Sequence, residues 1–160
     1  MKNKKILIPL FILGVLCLLN IFHFWIFVKG ISMQPSLHTG DILIVNPFTN
    51  EASIGDLIVF NRGNDTFIKR VKYDTGYYYS SSTSVNDDVN LYTYVSNKQY
   101  TKLMAGKSVM KKFHYTSLQG NYWVQGDNVN YSQNSDTLGV VKPESVLGRV
   151  VYVLKFANIF

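Results

Sequence analysis

The chain has 160 residues, of which 47% are hydrophobic and 16% charged, and this length supports one small core besides an apolar segment. Its single cysteine, Cys17, excludes an intrachain disulfide framework and a Cys/His zinc site, so we expect neither a metal nor a cofactor. The formal charge of +6 does not predict a nucleic-acid partner, because three of the lysines stand together at positions 2, 4 and 5 and the rest are dispersed.

The first predicted element is a transmembrane anchor over residues 6–28. These 23 residues carry no formal charge, and a helix of this length reaches roughly 34 Å, enough to cross a bilayer core. A cleaved signal peptide is the alternative, but it normally has a shorter apolar core and a small-residue cleavage site. Basic residues favour the cytoplasmic side, so residues 1–5 are expected to form a cytoplasmic tail. Residues 29–160 would then be an extracytoplasmic domain of a single-pass membrane protein.

The stretch G-I-S-M-Q-P-S-L-H-T-G-D, residues 30–41, follows the anchor directly. Pro35 constrains the backbone, and Gly40–Asp41 predicts a turn into the apolar run Ile42–Val45. Ser32 therefore lies on a constrained loop, a few residues from the predicted membrane surface. Taken alone, Ser-Met-x-Pro is also typical of an ordinary loop that leaves a membrane helix.

The remainder of the chain predicts a mainly β domain. The apolar runs Asp41–Val45 and Leu57–Phe60 are short and begin at Gly-Asp turns, which is typical of strands. A hairpin turn is predicted at Arg62–Asp65, with the chain returning along residues 66–73. The stretch 77–118 is rich in Ser, Asn and Tyr and predicts short hairpins.

Lys69 lies in the returning strand, where alternation places it between Phe67 and Val71 on one face and Arg70 on the other. A lone lysine in an apolar stripe is usually an edge-strand or snorkelling residue. If Lys69 is buried, however, desolvation lowers its pKa and makes it usable as a base near neutral pH. Ser32 and Lys69 together predict Ser–Lys hydrolase chemistry, with the backbone N–H of Ser32 as an oxyanion donor.

Five segments also occur in the order of a known family, and with them the chain resembles the type I signal peptidases, membrane-anchored serine proteases. They are the anchor, G-I-S-M-Q-P-S-L-H-T-G-D, I-G-D-L-I-V-F, F-I-K-R-V, and Y-W-V-Q-G-D-N-V-N-Y-S with G-V-V after it. The resemblance implies that Ser32 is the nucleophile, Lys69 the general base, and Ser132 the serine that hydrogen-bonds and orients the lysine. The fold it implies is an antiparallel β-sheet catalytic domain whose apolar rim rests on the lipid bilayer.

The same resemblance implies that the substrates are signal peptides of secreted or surface precursors, cut after small residues. An extended peptide can add its backbone hydrogen bonds to strand edges near Ser32 and Lys69. We expect a monomer in the bacterial plasma membrane. Apolar residues near the dyad are the candidates for the substrate-binding walls: Ile31, Met33, Pro35, Leu37, Ile42, Phe60 and Ile68.

The late segment carries structural positions and one departure from the family. The resemblance assigns a turn to Gly126, Asp127 and Asn128. Asn134 and Asp136 stand where the family has an acid and an arginine, so the usual ion pair cannot form. An Asn134–Asp136 hydrogen bond could hold this loop more weakly. Residues 77–118 correspond to a variable insertion, and the Gly-x-Pro-Gly-Asp turn usual after Lys-Arg is missing from the sequence.

Two other functions stay open from the sequence. A non-catalytic, signal-peptidase-like membrane factor for surface-fibre (pilus) assembly fits the lost acid–arginine pair, but it has no need of Ser32, Lys69 and Ser132 together. An anchored β-domain adhesin fits the strand pattern, but the ordered segments would then be coincidental. The sequence therefore predicts a membrane-bound serine endopeptidase that cleaves signal peptides.

Overall fold

The computed structural model describes residues 8–15, 24–49, 51–82, 90–105 and 116–156. The strands in these residues are β1 (Phe24–Phe27), β2 (Ile42–Asn46), β3 (Leu57–Arg62), β4 (Asp65–Tyr73), β5 (Tyr77–Ser82), β6 (Asn90–Val95), β7 (Thr116–Ser117), β8 (Trp123–Gln125) and β9 (Val146–Leu154). The helices are α1 (residues 8–15), α2 (Asn97–Ala105) and α3 (Ser135–Leu138), with short 3-10 helices at Val129–Tyr131 and Pro143–Ser145.

The strands form two sheets. The larger sheet has six strands in the order β1-β2-β9-β3-β4-β8, and the smaller has three in the order β6-β5-β7. Neighbouring strands are antiparallel throughout both sheets. The predicted mainly β, antiparallel architecture is therefore confirmed, and the hairpin predicted at Arg62–Asp65 joins β3 to β4 through the two-residue turn at positions 63 and 64.

The core consists of two hydrophobic clusters on the two faces of the larger sheet. Ile58 and Val59 are both fully buried but belong to different clusters, because consecutive strand residues point to opposite faces. The first cluster contains Ile58, Phe60, Val71, Tyr122, Val124, Val141 and Val146. The second contains Val28, Met33, Leu37, Leu43, Val45 and Val59.

The predicted anchor over residues 6–28 lies partly outside the described residues. Residues 8–15 are helical, and within the described ranges no helix is long and apolar enough to span a membrane. The C-terminal end of the predicted span is wrong as a helix, because Phe24–Phe27 form β1 and pair with β2. The alternation of half-buried and exposed side chains along β1 fits a strand covered on one face.

The predicted variable stretch 77–118 contributes the smaller sheet and α2. Within the described residues, β5 and β6 form the expected hairpin strands. Stacked tyrosine rings join this part to the larger sheet: the rings of Tyr73 in β4 and Tyr94 in β6 have centroids 3.9 Å apart. Positions 83–89 and 106–115 lie outside the described residues.

Candidate active site

Ser32 lies in the loop between β1 and β2, which is tied down at both ends. The backbone N–H of Val28 donates to the carbonyl of Asp41 at 2.8 Å, and that of Gly40 donates to the carbonyl of Val28 at 3.0 Å. Within the loop, Met33 and Leu37 are buried in the second cluster. Because its neighbours are buried, the loop holds the half-exposed Ser32 against the sheet.

Lys69 lies in β4 opposite Ile58 of β3, and only 3% of its surface is exposed. Its Nζ donates a hydrogen bond to Ser32 Oγ at 2.9 Å. Burial disfavours the charged ammonium and lowers the pKa of Lys69 from 10.5 to about 8. The structure therefore brings together the two residues that the sequence paired, and the amine is buried as the base hypothesis requires.

The turn after β8 holds the backbone of the Ser32 loop. The backbone N–H of Asn128 donates to the carbonyl of Ser32 at 3.0 Å, and its side-chain amide donates to the carbonyl of Ile31 at 3.1 Å. A Cβ at Gly126 would collide with Ser132 Oγ and lie 2.5 Å from the Ser32 carbonyl oxygen. Glycine is needed at position 126 for this close approach, which places the Gly126–Asn128 turn directly against the backbone of Ser32.

Asp127 in the same turn forms a bidentate ion pair with Arg70. Arg70 Nε and Nη2 donate to its two carboxylate oxygens at 2.8 and 2.6 Å, and Arg70 Nη1 donates to the carbonyl of Gly55 at 2.7 Å. Burial by itself would raise the pKa of Asp127, but hydrogen bonds from Arg70 and Ser36 outweigh it and lower that pKa. Since Ser36 belongs to the Ser32 loop, this pair is a further link between the loop and β4.

Asn134 and Asp136 do not form the hydrogen bond that the sequence left open to them. Asn134 is buried, and its Oδ1 accepts the backbone N–H of Gly126 at 2.8 Å. Asp136 is exposed in the first turn of α3. The neighbouring Ser135 is fully buried and accepts the backbone N–H of Val124 at 2.8 Å. The segment is therefore attached to β8 by side-chain-to-backbone bonds instead of by contacts within itself.

Ser132 lies beside the dyad, packed over Gly126 next to the Ser32 carbonyl. Its hydroxyl donates to the carbonyl of Gln133 at 3.2 Å. The structure thus places Ser132 in the site, while the lysine-orienting role stays a prediction.

An open groove of about 440 Å³ runs past the dyad. Its lining includes Ile26, Phe27, Val28, Lys29, Gly30, Ser32, Met33, Thr66, Phe67, Ile68, Lys69, Tyr131 and Gln133. Of the predicted wall residues, only Met33 and Ile68 line it.

The other predicted wall residues lie elsewhere. Leu37 and Phe60 are each 1% exposed and belong to the two core clusters, because the Ser32 loop and β3 turn these side chains inward. Ile42 is half-buried on β2, whereas Ile31 and Pro35 are exposed on the loop.

The sequence missed several residues of the site. Strand alternation puts Arg70 on the face opposite Lys69 without giving it a partner, and no sequence pattern points to Ser135, Lys29, Tyr131 or Gln133. Of these residues, only Arg70 could have been found from the sequence, because Lys69-Arg70 and Gly126-Asp127 carry opposite charges. That the two segments lie side by side follows only from the pairing of β4 with β8. Across the described ranges, no group of three or more His, Cys, Asp or Glu side chains is arranged to hold a metal ion.

Comparisons with known proteins show the family to which the chain belongs. The model of the family described as "Signal peptidase, peptidase S26" matches residues 2–155. Signal peptidase I T of Bacillus subtilis (strain 168) is 28% identical over 160 aligned residues, covering 89% of this chain and 80% of that protein. Signal peptidase I of Bacillus amyloliquefaciens is 28% identical over 141 residues, covering 79% and 70%.

A solved signal peptidase I from Enterococcus faecalis V583 is 24% identical and covers 64% of this chain and 97% of the solved chain, with a TM-score of 0.35. The family match spans nearly the whole chain, and both Bacillus relatives are covered over most of their length. The chain therefore belongs to the signal peptidase family, peptidase S26, whose function is the cleavage of signal peptides.

Proposed function

We propose that this chain is a membrane-bound serine endopeptidase that uses Ser32 as nucleophile and Lys69 as general base to cut signal peptides from exported precursors. The observation that carries the proposal is the 2.9 Å hydrogen bond between Lys69 Nζ and Ser32 Oγ at a lysine that is only 3% exposed. A noncatalytic assembly factor has no need of such a contact. Membership of the signal peptidase family supports the substrate class.

The reaction follows from the neutral form of the lysine. Neutral Lys69 takes the proton of the Ser32 hydroxyl as Oγ attacks the scissile carbonyl carbon. The tetrahedral oxyanion accepts a hydrogen bond from the backbone N–H of Ser32, and the Lys69 ammonium then protonates the departing amine. Water, deprotonated by Lys69, hydrolyses the resulting ester and releases the signal peptide. With a pKa of about 8, roughly a tenth of the lysine is neutral at pH 7.

The groove suits an extended peptide because strand edges lie on both of its sides. Among the described residues, β1 is paired only with β2, so its other edge is free. The edge of β4 that faces away from β3 is also free before Arg70, where pairing with Gln125 of β8 begins. Along the β3–β4 ladder, hydrogen-bonded residue pairs alternate with pairs that are not hydrogen-bonded to each other. The pair Arg62–Asp65, next to the two-residue turn, is a hydrogen-bonded one, so Thr66 and Ile68 belong to pairs of the other kind. The backbone N–H and C=O groups of Thr66 and Ile68 therefore point into the groove. A signal peptide would bind there by strand addition.

Ser132 is proposed to support the lysine during this cycle. By continuation of the register that pairs Arg70 with Gln125, Gly126 lies opposite Lys69, and Ser132 Oγ packs over Gly126. A change of the Ser132 side-chain rotamer would exchange its bond to Gln133 for one to the amine.

An apolar face of the larger sheet supports the proposed location at a bilayer. Trp25, Ile44 and Tyr152 form one cross-strand row on β1, β2 and β9, and Trp25 and Tyr152 are 54% and 60% exposed. Phe27 in β1 is 65% exposed beside this row. Aromatic side chains of this kind favour the membrane interface. We propose that this face rests on the outer surface of the plasma membrane, that the apolar segment before β1 anchors a monomer, and that the basic N-terminus is cytoplasmic.

The test is processing of a secreted precursor by the intact chain. We expect Ser32→Ala and Lys69→Ala variants to fold, to fractionate with membranes and to leave the precursor uncut. Lys72→Ala is the matched control, because this lysine lies in the same strand but is exposed. Processing by either dyad variant at the wild-type rate would contradict the proposed mechanism.

A further inference from the structure

The side chain of Asn134 is buried, and its hydrogen bond goes to the turn after β8 instead of to α3. The residue is 6% exposed and occupies the N-cap position of α3, yet its side chain makes no capping hydrogen bond there. Its Oδ1 instead accepts the Gly126 backbone N–H in a buried bond of 2.8 Å. Without this acceptor, the N–H of Gly126 would lose its partner in a dry environment, which is costly. The contact therefore fixes the position of Gly126.

Gly126 transmits that position to the nucleophile. It approaches the Ser32 carbonyl so closely that a Cβ has no space. Two residues later, the Asn128 backbone donates to the same carbonyl at 3.0 Å. A shift of Gly126 would therefore move the Ser32 backbone relative to Lys69, and displacements of about 1 Å are enough to cost on the order of 100-fold in rate.

The neutrality of Asn134 also matters for Lys69. Arg70, a cation at the same end of β4, is already engaged by Asp127 and Gly55. The pairing of Arg70 with Gln125 places Gly126 opposite Lys69 by continuation of the register. A negative charge on the order of 10 Å away in a partly buried site raises the pKa of an amine by about one unit, so a carboxylate at position 134, bonded to Gly126, would favour the charged form of Lys69.

We propose that Asn134 is a positioning residue for the dyad, which holds Gly126 and thereby the Ser32 loop while placing no charge beside the lysine. The inference rests on the proposed function, because it assigns Asn134 to the same reaction. It also explains how the site tolerates Asp136 where the family pattern has arginine: the neutral amide needs no cationic partner, and Asp136 stays in solvent.

The other titratable groups close to the lysine are unchanged in Asn134→Ala and Asn134→Asp, and the control Asp136→Asn alters only an exposed carboxylate of α3. Lys29 and Tyr131 line the same groove as Lys69, Arg70 is the next residue of β4, and Asp127 lies in the turn after β8. A change in pH dependence caused by position 134 alone therefore reports on the charge at that position.

The first experiment compares three variants of the intact chain in detergent with a peptide substrate. Asn134→Ala removes the acceptor, and we expect kcat to fall at least about tenfold at every pH with KM nearly unchanged. Asn134→Asp keeps an acceptor but adds a charge, and we expect the midpoint of the pH–rate profile to rise by about one unit. Above the new midpoint, its kcat should recover to within about threefold of wild type, since an acceptor for Gly126 is present. Asp136→Asn, which alters an exposed charge two residues away, should leave kcat and the midpoint of the pH–rate profile unchanged.

The second experiment does not depend on cleavage. Competitive acetylation of lysines across pH, measured by mass spectrometry, reports the pH at which half of Lys69 is deprotonated in the folded chain. We expect Asn134→Asp to raise this midpoint by about one unit and Asp136→Asn to leave it in place. An unshifted midpoint in Asn134→Asp, or wild-type kcat in folded Asn134→Ala, would overturn the inference. A wild-type chain that acetylates as expected but cleaves no signal peptide would instead overturn the proposed function.

Discussion

At the scale of single residues, the burial of Lys69 acts in opposite directions on stability and on catalysis. Desolvation lowers its pKa to about 8, which supplies a neutral base at a usable concentration near neutral pH. The same desolvation disfavours the folded state whenever the amine is protonated. The hydrogen bond to Ser32 offsets only part of this cost.

The first prediction concerns the pH dependence of cleavage. Because the proposed mechanism uses the neutral amine of Lys69, we expect kcat/KM to rise with pH, with a midpoint near pH 8, and then to level off. Steady-state cleavage of a signal-peptide substrate between pH 6 and about 10 measures this profile. A profile that is flat across the range would mean that Lys69 is not the base.

The second prediction concerns stability. Lys69→Met should abolish cleavage but raise Tm at pH 7 by about 2–4 °C, because an apolar side chain replaces a buried amine. The pKa of Lys69 is lowered on folding, so wild-type stability increases as pH rises from about 8 to 10.5. The advantage of Lys69→Met should therefore shrink across that window.

Thermal unfolding in detergent at pH 7 and pH 9.5 measures the effect of Lys69→Met. Lys72→Met changes an exposed lysine of the same strand and should alter Tm by less than about 1 °C. Equal Tm changes in the two variants would show that burial at position 69 has no special cost.

At the scale of elements, the unpaired half of β4 determines how a peptide can bind. Within the described residues, β8 pairs with β4 only at Arg70 and beyond, so the strand has a paired end and a free end. Lys69 lies at the boundary between them. A peptide that extends the sheet along the free end would therefore finish beside the Ser32 hydroxyl.

The third prediction tests this edge. Thr66 is exposed, and its backbone N–H points into the groove and away from β3. Thr66→Pro removes that donor, and we expect KM to rise about tenfold with a small change in stability, since proline is tolerated at sheet edges. Peptide-cleavage kinetics and thermal unfolding measure the two effects.

Thr66→Val is the control for this prediction. It removes the hydrogen bond of 2.9 Å from the threonine hydroxyl to Asn61 but keeps the backbone donor. We expect KM to stay within about twofold of wild type. An equal increase of KM in both variants would assign the effect to the side chain and contradict binding by strand addition.

At the scale of the whole molecule, the apolar row of Trp25, Ile44 and Tyr152 supports the proposal that this side of the sheet faces a bilayer. The two tryptophans of the chain differ sharply in exposure: Trp25 is 54% exposed, whereas Trp123 is 7% exposed and packs near Tyr94. Fluorescence can therefore separate a residue at the proposed membrane surface from one inside the domain.

The fourth prediction uses this difference. In vesicles that contain brominated phospholipids, we expect the emission of a Trp123→Phe variant, which retains Trp25, to be strongly quenched. A Trp25→Phe variant, which retains only the buried Trp123, should show little quenching. Equal quenching of the two variants, or none in either, would contradict the proposed orientation of the sheet on the bilayer.

The sequence by itself determined the strand class of this protein and the two residues on which the proposed chemistry rests. Ser32 and Lys69 were recognisable because a serine on a proline-containing turn and a lysine in an apolar stripe are local features, and alternation along β4 depends only on the period of a strand. The register between strands cannot be predicted in this way, because it depends on contacts between residues far apart in the chain. Only the tertiary structure decided that Phe24–Phe27 form a strand, since an aromatic apolar run suits a helix end equally well until β2 pairs with it.

The same limit explains the site residues that the sequence placed wrongly. Leu37 and Phe60 have the composition of a binding wall, but the packing of the loop and of β3 turns them into the core. Arg70 meets Asp127 57 positions later, and Asn134 meets Gly126 through the return of the chain after β8. Residue type and local spacing thus determined which groups could react, whereas long-range packing decided which neighbours hold them in place, because a side chain's partners depend on how distant segments are brought together.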